Sequence, residues 1–224
     1  MGILSIVTWL PLVGALALLA LPKERTEWVR LFANVWMALC FVVTLPLLAY
    51  DRELGGIQFV EDATWIPLLG ARYSLGVDGI SIALVMLTAL LGPIASLASW
   101  SAIDRRQKEF YAFLLAMQTT MIGVFVAMDL FLFFVFWEIS LVPMYFIIGI
   151  WGGERRLYAA IKFFVYTLAG SVVMLLAILK LYSLTTDPAT IQALAAIEAS
   201  ARTLAGRNAE MTAFNHSMSA LACE

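Results

Sequence analysis

Six apolar stretches, each long enough to cross a bilayer, constrain this chain more than anything else in it. They cover residues 3–21, 28–49, 79–100, 110–128, 130–151 and 158–182. A spanning helix needs about 17–25 such residues at roughly 1.5 Å of rise each. The chain is 62% hydrophobic and 13% charged, against about 25% charged residues in soluble domains, so it cannot cover a water-facing surface. The expected fold class is all-α: a polytopic membrane protein with about six transmembrane helices in residues 1–183, followed by a polar, Ala-rich tail over 184–224 that has no assignment. The lipid bilayer is its first partner, and no nucleic-acid partner is expected. The first stretch is read as a retained helix rather than a signal peptide. No basic residue precedes it, Pro11 interrupts it, and it ends at Pro22-Lys23 without a small-residue cleavage pattern.

The connections carry further information. Runs four and five are separated only around Asp129, which predicts a tight helical hairpin. Gly92-Pro93 lies inside run three and Pro143 inside run five. A proline removes an intrahelical donor and crowds the preceding turn, so both helices are expected to kink. Lys23, Arg25, Arg30, Arg105, Arg106, Lys108, Arg155 and Arg156 follow runs one, three and five, against Arg52 and Arg72 on the other side. Eight basic residues against two put the N-terminus outside under the positive-inside rule. Run six then ends outside near Lys180, which can snorkel to the interface. The long outer connection carries Trp65, Pro67 and Tyr73, which suit a membrane interface. It leads to Asp78, read as a cap on the third helix rather than a proton carrier. Beyond run six, Asp187-Pro188 signals a short amphipathic helix over 189–204.

Glu138 is the acid that run five should not contain. It is the only one between Leu130 and Trp151 and lies close to the middle. A carboxylate there costs at least about 2.5–3.5 kcal/mol on insertion scales, where Leu costs nothing. Such a group is kept where it faces a bundle interior or a hydrated path and can carry a proton or pair with a base, so Glu138 is read as functional. It lies about twelve residues, roughly 18 Å, from the inner end of its run. Lys162 has two readings. It sits about 6 Å into its helix and snorkels if that helix begins near Tyr158, or about 12 Å in and is buried if it begins near Glu154. Direct contact with Glu138 is not expected, and the separation leaves room for a water bridge between a functional pair. Gln118, Thr119 and Thr120, midway along run four, are interhelical hydrogen-bonding groups by default and the lining of a hydrated path otherwise. Cys40 and Cys223 are 183 residues apart and His216 is the only histidine. That leaves no metal or redox spacing, and no electron-carrying cofactor is expected in this chain.

These residues resemble a known family. The stretch 127–146 (AMDLFLFFVFWEISLVPMYF, with Glu138 and Pro143), the segment 160–171 (AIKFFVYTLAGS, with Lys162) and 76–81 (GVDGIS, with Asp78) are similar to the antiporter-like subunit M of bacterial NADH:quinone oxidoreductase, respiratory complex I. Its mitochondrial counterpart is NADH dehydrogenase subunit 4. The resemblance covers about residues 1–183. The sister subunits L and N and the multi-subunit sodium/proton antiporters share the glutamate-bearing helix. They generally lack the Trp-Glu-x-x-Leu-x-Pro-Met run found at 137–144.

The resemblance implies a proton-translocating membrane-arm subunit in the bacterial plasma membrane, with the other membrane-arm subunits as partners. Electrons from NADH would pass through flavin and iron–sulfur clusters to quinone on partner subunits. The acid matching Glu138 exchanges protons in that family and is coupled to lysines on other helices. Lys162 matches a family lysine near the start of its helix. An opposite charge close to a carboxylate favours its ionised form, and withdrawing that charge favours proton uptake, so a moving lysine can load and unload the acid. The chain departs from the family after Tyr182. Members have about fourteen helices in two inverted repeats, and the lysines of the seventh and eighth helices have no counterpart here. The expectation is the N-terminal part of such a subunit, whether a truncated product, a fragment or a short variant. Two other readings stand beside it: a non-transporting membrane scaffold, and a sodium/proton antiporter subunit, which the 137–144 run disfavours.

Overall fold

Every backbone polar group of a bilayer-spanning segment must be satisfied within the segment, so apolar runs of this length fold as helices. The computed structural model describes residues 2–20, 26–51, 56–67 and 70–185. The helices are α1 (Ile3–Ala20), α2 (Thr26–Thr44, extended by a 3-10 turn over Leu45–Ala49), α3 (Gly79–Ala98), α4 (Gln107–Val126), α5 (Leu130–Trp151) and α6 (Arg156–Thr185). Among the described residues, all six are long and apolar enough to cross a membrane. The helix expected over 189–204 lies outside the described residues, as do Lys23, Arg25 and Arg52 of the charge pattern. The chain parts into two units, Met1–Val173 and Met174–Glu224, with the division inside α6.

In the first unit α4 is the central helix, packed on α1, α2, α3 and α5. One apolar cluster gathers Leu4, Val7, Val85, Ile122, Val126 and Phe136, and a second gathers Leu18, Val29, Met37, Tyr111 and Leu115 towards the other end. Glycines let the helices approach closely, as small residues do in membrane bundles. Gly14 of α1 lies against the Trp36 indole of α2, and Gly123 of α4 against the Phe136 ring of α5. The Trp36 indole N–H then donates to the Leu10 carbonyl at 3.0 Å. α3 continues through Pro93 and α5 through Pro143.

The connection between α2 and α3, which reads in the sequence as an interfacial loop, contains an antiparallel β-hairpin. Strand β1 (Gln58–Ile66) pairs with β2 (Ala71–Val77), placing Glu61 opposite Leu75 and Thr64 opposite Arg72, with irregularities on both sides of that run. This hairpin ties three helix starts together. The Glu61 carboxylate accepts hydrogen bonds from the amides of Gly2, Leu4 and Ser5 and from the Ser5 hydroxyl, at 2.6–3.1 Å. It thereby caps α1 from a different element, supplying acceptors to the amide donors every helix start leaves open. Because the Ser5 hydroxyl gives its one hydrogen to Glu61, the Tyr73 hydroxyl is the donor across their 3.1 Å contact, and Tyr73 accepts in turn from the Trp9 indole. Asp78 accepts from the Ile80 and Ser81 amides at the start of α3. Asp129 accepts from the Phe131 and Leu132 amides at the start of α5 and from the Arg72 amide of β2.

Candidate functional site

The site is built around the acid of α5. Asp129 fixes where this helix starts, so Glu138 lies eight residues, about 12 Å, from that end and about 20 Å from Trp151 at the other. Glu138 is the only charged residue of the helix. Glu138 Oε2 is buried and has no hydrogen-bond partner. Pro143 has no N–H for the Ile139 carbonyl, one residue beyond the acid, so a second polar group near mid-depth loses its intrahelical partner. The neighbouring Ser140 hydroxyl instead bonds back to the Trp137 carbonyl at 2.6 Å.

Helix α4 supplies the rest of the polar belt. The contact of Gly123 with Phe136 and the stacking of Phe113 on Phe146, at 5.0 Å between centroids, set the register of antiparallel α4 and α5. In that register Glu138 is level with Met121, and Gln118, Thr119 and Thr120 lie within about one turn of its height. They leave α4 in different directions. Gln118 faces α3, its amide packed on Gly92. Thr119 lies one turn before Gly123 on the face towards α5. The Thr120 hydroxyl bonds to the Met117 carbonyl at 2.9 Å. All three side chains are buried, and neither the Gln118 amide nor the Thr119 hydroxyl has a hydrogen-bond partner.

Lys162 is not brought to this belt. Helix α6 begins at Arg156, which puts Lys162 six residues, about 9 Å, along it. Tyr145 against Phe164, at 5.5 Å, and Gly149 beside Ala160 set the register of α5 and α6. Lys162 is then level with Ile147, nine residues and about 14 Å from Glu138 in height, while Ser171 stands level with the acid. The Lys162 ammonium is exposed and lies 5.7 Å from the Tyr158 ring centroid, a cation–π contact. A cavity of about 210 Å³ opens where α4, α5 and α6 meet, lined mainly by Met117, Met121, Trp137, Leu141, Met144 and Phe163. It is apolar, and the Glu138 carboxyl does not line it.

Asp78 lies outside this belt. It is exposed at the hairpin end, and the Ser81 amide and hydroxyl with the Ile80 amide hold its carboxyl below the ordinary value. Among the described residues no three His, Cys, Asp or Glu side chains gather at one place. The structure adds buried polar groups that the sequence did not single out as site candidates. Ser96 of α3 and Tyr111 of α4 are wholly buried with unpartnered hydroxyls, and Arg30 Nε and Gln107 Oε1 are buried and unpartnered as well. Only helix faces, known once the helices are packed, reveal them.

Comparison with known proteins places this arrangement. Residues 6–128 match the family model described as NADH-ubiquinone oxidoreductase chain 4, amino terminus. Residues 127–222 match that of the NADH:quinone oxidoreductase/Mrp antiporter transmembrane region. NADH-quinone oxidoreductase subunit M of Rhodobacter capsulatus is 46% identical over 200 residues, 85% of this chain and 38% of that protein. F(420)H(2) dehydrogenase subunit M of Methanosarcina mazei is 44% identical over 135 residues, 60% of this chain and 27% of that protein. The solved respiratory complex I from Thermus thermophilus with bound NADH contains a chain that is 31% identical, with a TM-score of 0.71 over 83% of this chain and 37% of that one. The chain thus spans between about a quarter and two fifths of the length of these relatives.

Proposed function

The chain belongs to the NADH-ubiquinone oxidoreductase chain 4 family, that of subunit M, and from that premise we propose that this integral, multi-pass membrane protein is the N-terminal part of a proton-translocating membrane-arm subunit. The observation that carries the proposal is the Glu138 carboxyl, placed near mid-depth on an otherwise uncharged helix with one oxygen buried and unpartnered. A group in that position is costly to keep for stability and suited to taking up and releasing a proton. No redox step is assigned to this chain. Flavin, iron–sulfur clusters and quinone belong in this reading to partner subunits of an oxidoreductase complex in a bacterial plasma membrane, with the N-terminus of this chain outside. In this reading Glu138 and Lys162 are successive stations joined by water, and the 14 Å offset in height supports that over an ion pair. A cation approaching Glu138 favours its ionised form and a retreating one favours proton uptake, which is how motion elsewhere in the complex drives the cycle.

The test is Glu138→Gln in the assembled complex. Gln keeps the size and removes the exchangeable charge. The expected result is normal assembly on a native gel with a several-fold fall in protons moved per NADH oxidised, read from a pH-sensitive dye in inverted membrane vesicles. Full assembly with unchanged pumping would reassign Glu138 to a scaffold.

A further inference from the structure

We propose that a file of internal waters runs between α2, α3 and α4, from the start of α4 to mid-membrane, and serves as a proton inlet on the side of α4 away from α6. The inlet role rests on the transport reading above; the water file rests on the structure alone.

The file begins where two side chains share one acceptor. Arg30 Nη2 of α2 and Gln107 Nε2 of α4 both donate to the Ile103 carbonyl, at 3.2 and 3.0 Å. The remaining Arg30 Nε, a donor, and Gln107 Oε1, an acceptor, are buried without partners. Asp104 lies 3.8 Å from the same guanidinium and is exposed, so the cluster sits at the membrane surface. One turn along α4 comes Tyr111, 0% exposed with a free hydroxyl. On the facing helix Ser96 is likewise 0% exposed and unpartnered. Then comes Gln118, 4% exposed, with both amide atoms unpartnered and packed against Gly92.

The spacing makes these groups a series. Gln107 to Tyr111 is one turn of α4, about 6 Å. Because α3 runs antiparallel to α4 and Gly92 lies at Gln118, Ser96 is one turn back along the file, about 6 Å from Gln118 and between it and Tyr111. Each interval takes one or two waters at hydrogen-bond lengths of about 2.8 Å. Pro93 adds an acceptor near Gly92, because it has no N–H for the Ala89 carbonyl one turn back along α3. Buried polar groups left unbonded cost about 1–3 kcal/mol each, and internal waters making about three bonds each are the usual remedy. Leu115, wholly buried between Tyr111 and Gln118 on the same face, narrows the route to the Ser96 side. Past Gln118 the next unpartnered group is the Thr119 hydroxyl, which turns the file around α4 towards α5 and the level of Glu138.

The proposal is tested on the intact membrane complex. A map that resolves solvent should show water peaks within hydrogen-bond distance of the Tyr111 hydroxyl, the Ser96 hydroxyl and the Gln118 amide. A dry gap at these atoms, or side chains paired with one another, overturns it. Ser96→Ala and Gln118→Leu together should lower protons moved per NADH several-fold with assembly intact on a native gel, while Ser96→Thr restores pumping in the Gln118 background. If the double variant pumps normally while Glu138→Gln does not, the inlet is wrong and the transport reading stands. If Glu138→Gln pumps normally and the double variant does not, the inlet stands and Glu138 loses its role.

Discussion

Acidic side chains at the hairpin end of the bundle and at its mid-depth have opposite surroundings. Glu61, Asp78 and Asp129 each accept two or more hydrogen bonds from helix-starting amides, and Glu61 and Asp129 reach across elements to do so. At mid-depth Glu138 keeps a buried oxygen without a partner, and so do the Gln118 and Thr119 side chains of α4 within about one turn of its height. The chemistry of the groups does not separate the two regions, because a carboxylate is the central acceptor in both. What separates them is whether the surrounding backbone offers donors. Helix starts offer open amides at the membrane surface, while the middle of a helix has none to spare. Polar groups at the hairpin end are therefore used to build, and those at mid-depth are left unanswered, as the proposed proton-carrying role requires.

The largest effect that would break this contrast is at Glu61. Glu61→Ala removes four hydrogen bonds and uncaps α1, and should lower unfolding free energy by about 3 kcal/mol, read as a fall in the tryptophan-fluorescence melting temperature of the detergent-solubilised protein. The same contact predicts a pH dependence. Burial alone would push the Glu61 carboxyl up, but the hydrogen bonds from Ser5, Gly2 and Leu4 outweigh it and hold the carboxyl below its ordinary value of 4.5. A group lowered in the folded state contributes stability that is present above the ordinary value and is lost as pH falls through the lowered one. Melting temperature should therefore fall below about pH 4.5 in the parent protein and fall less in Glu61→Ala. Equal acid sensitivity in both would remove Glu61 from the account. Asp129→Ala comes next, at about 1 kcal/mol for a lost cap. Asp129 also holds the Arg72 amide, so the variant should loosen the hairpin, seen as faster amide exchange at β2 than in an Asp78→Ala control.

The mid-depth acid was legible in the sequence and the hairpin was not, for physical reasons. Twenty apolar residues make one structure in a bilayer whatever their order, and a single charge within such a run stands out without any knowledge of contacts. Strand β1 (QFVEDATWI) mixes charged and apolar residues without clean alternation. Its most important partner, the start of α1, lies 57 residues away in sequence at Leu4. Glu61 therefore reads as one more polar loop residue until the fold brings it to Ser5. Arg30 shows the converse. The sequence counts it as a loop charge in the side-to-side alternation, yet the residue lies inside α2 with its guanidinium largely buried against the Ile103 carbonyl. Ser96 and Tyr111 carry no sequence signal, because small polar and aromatic residues are ordinary in membrane helices and only the packing shows that nothing answers their hydroxyls.

The smallest effect is also the sharpest test of the contrast, because its sign is reversed. If the mid-depth groups are not there to build, replacing Glu138 with Leu should not weaken the fold. The unfolded reference state of a membrane helix still sits in lipid, where both side chains have already met much of their insertion cost. What remains is the unpartnered oxygen of the folded state, whose removal is worth about 1 kcal/mol. The melting temperature of Glu138→Leu should therefore match or slightly exceed that of the parent, in the assay where Glu61→Ala falls well below it. A gain in stability at a position that costs activity is the usual mark of a site kept for function. A melting temperature that drops as far as for Glu61→Ala would mean that Glu138 has a structural partner, and that the two ends of the comparison do the same job.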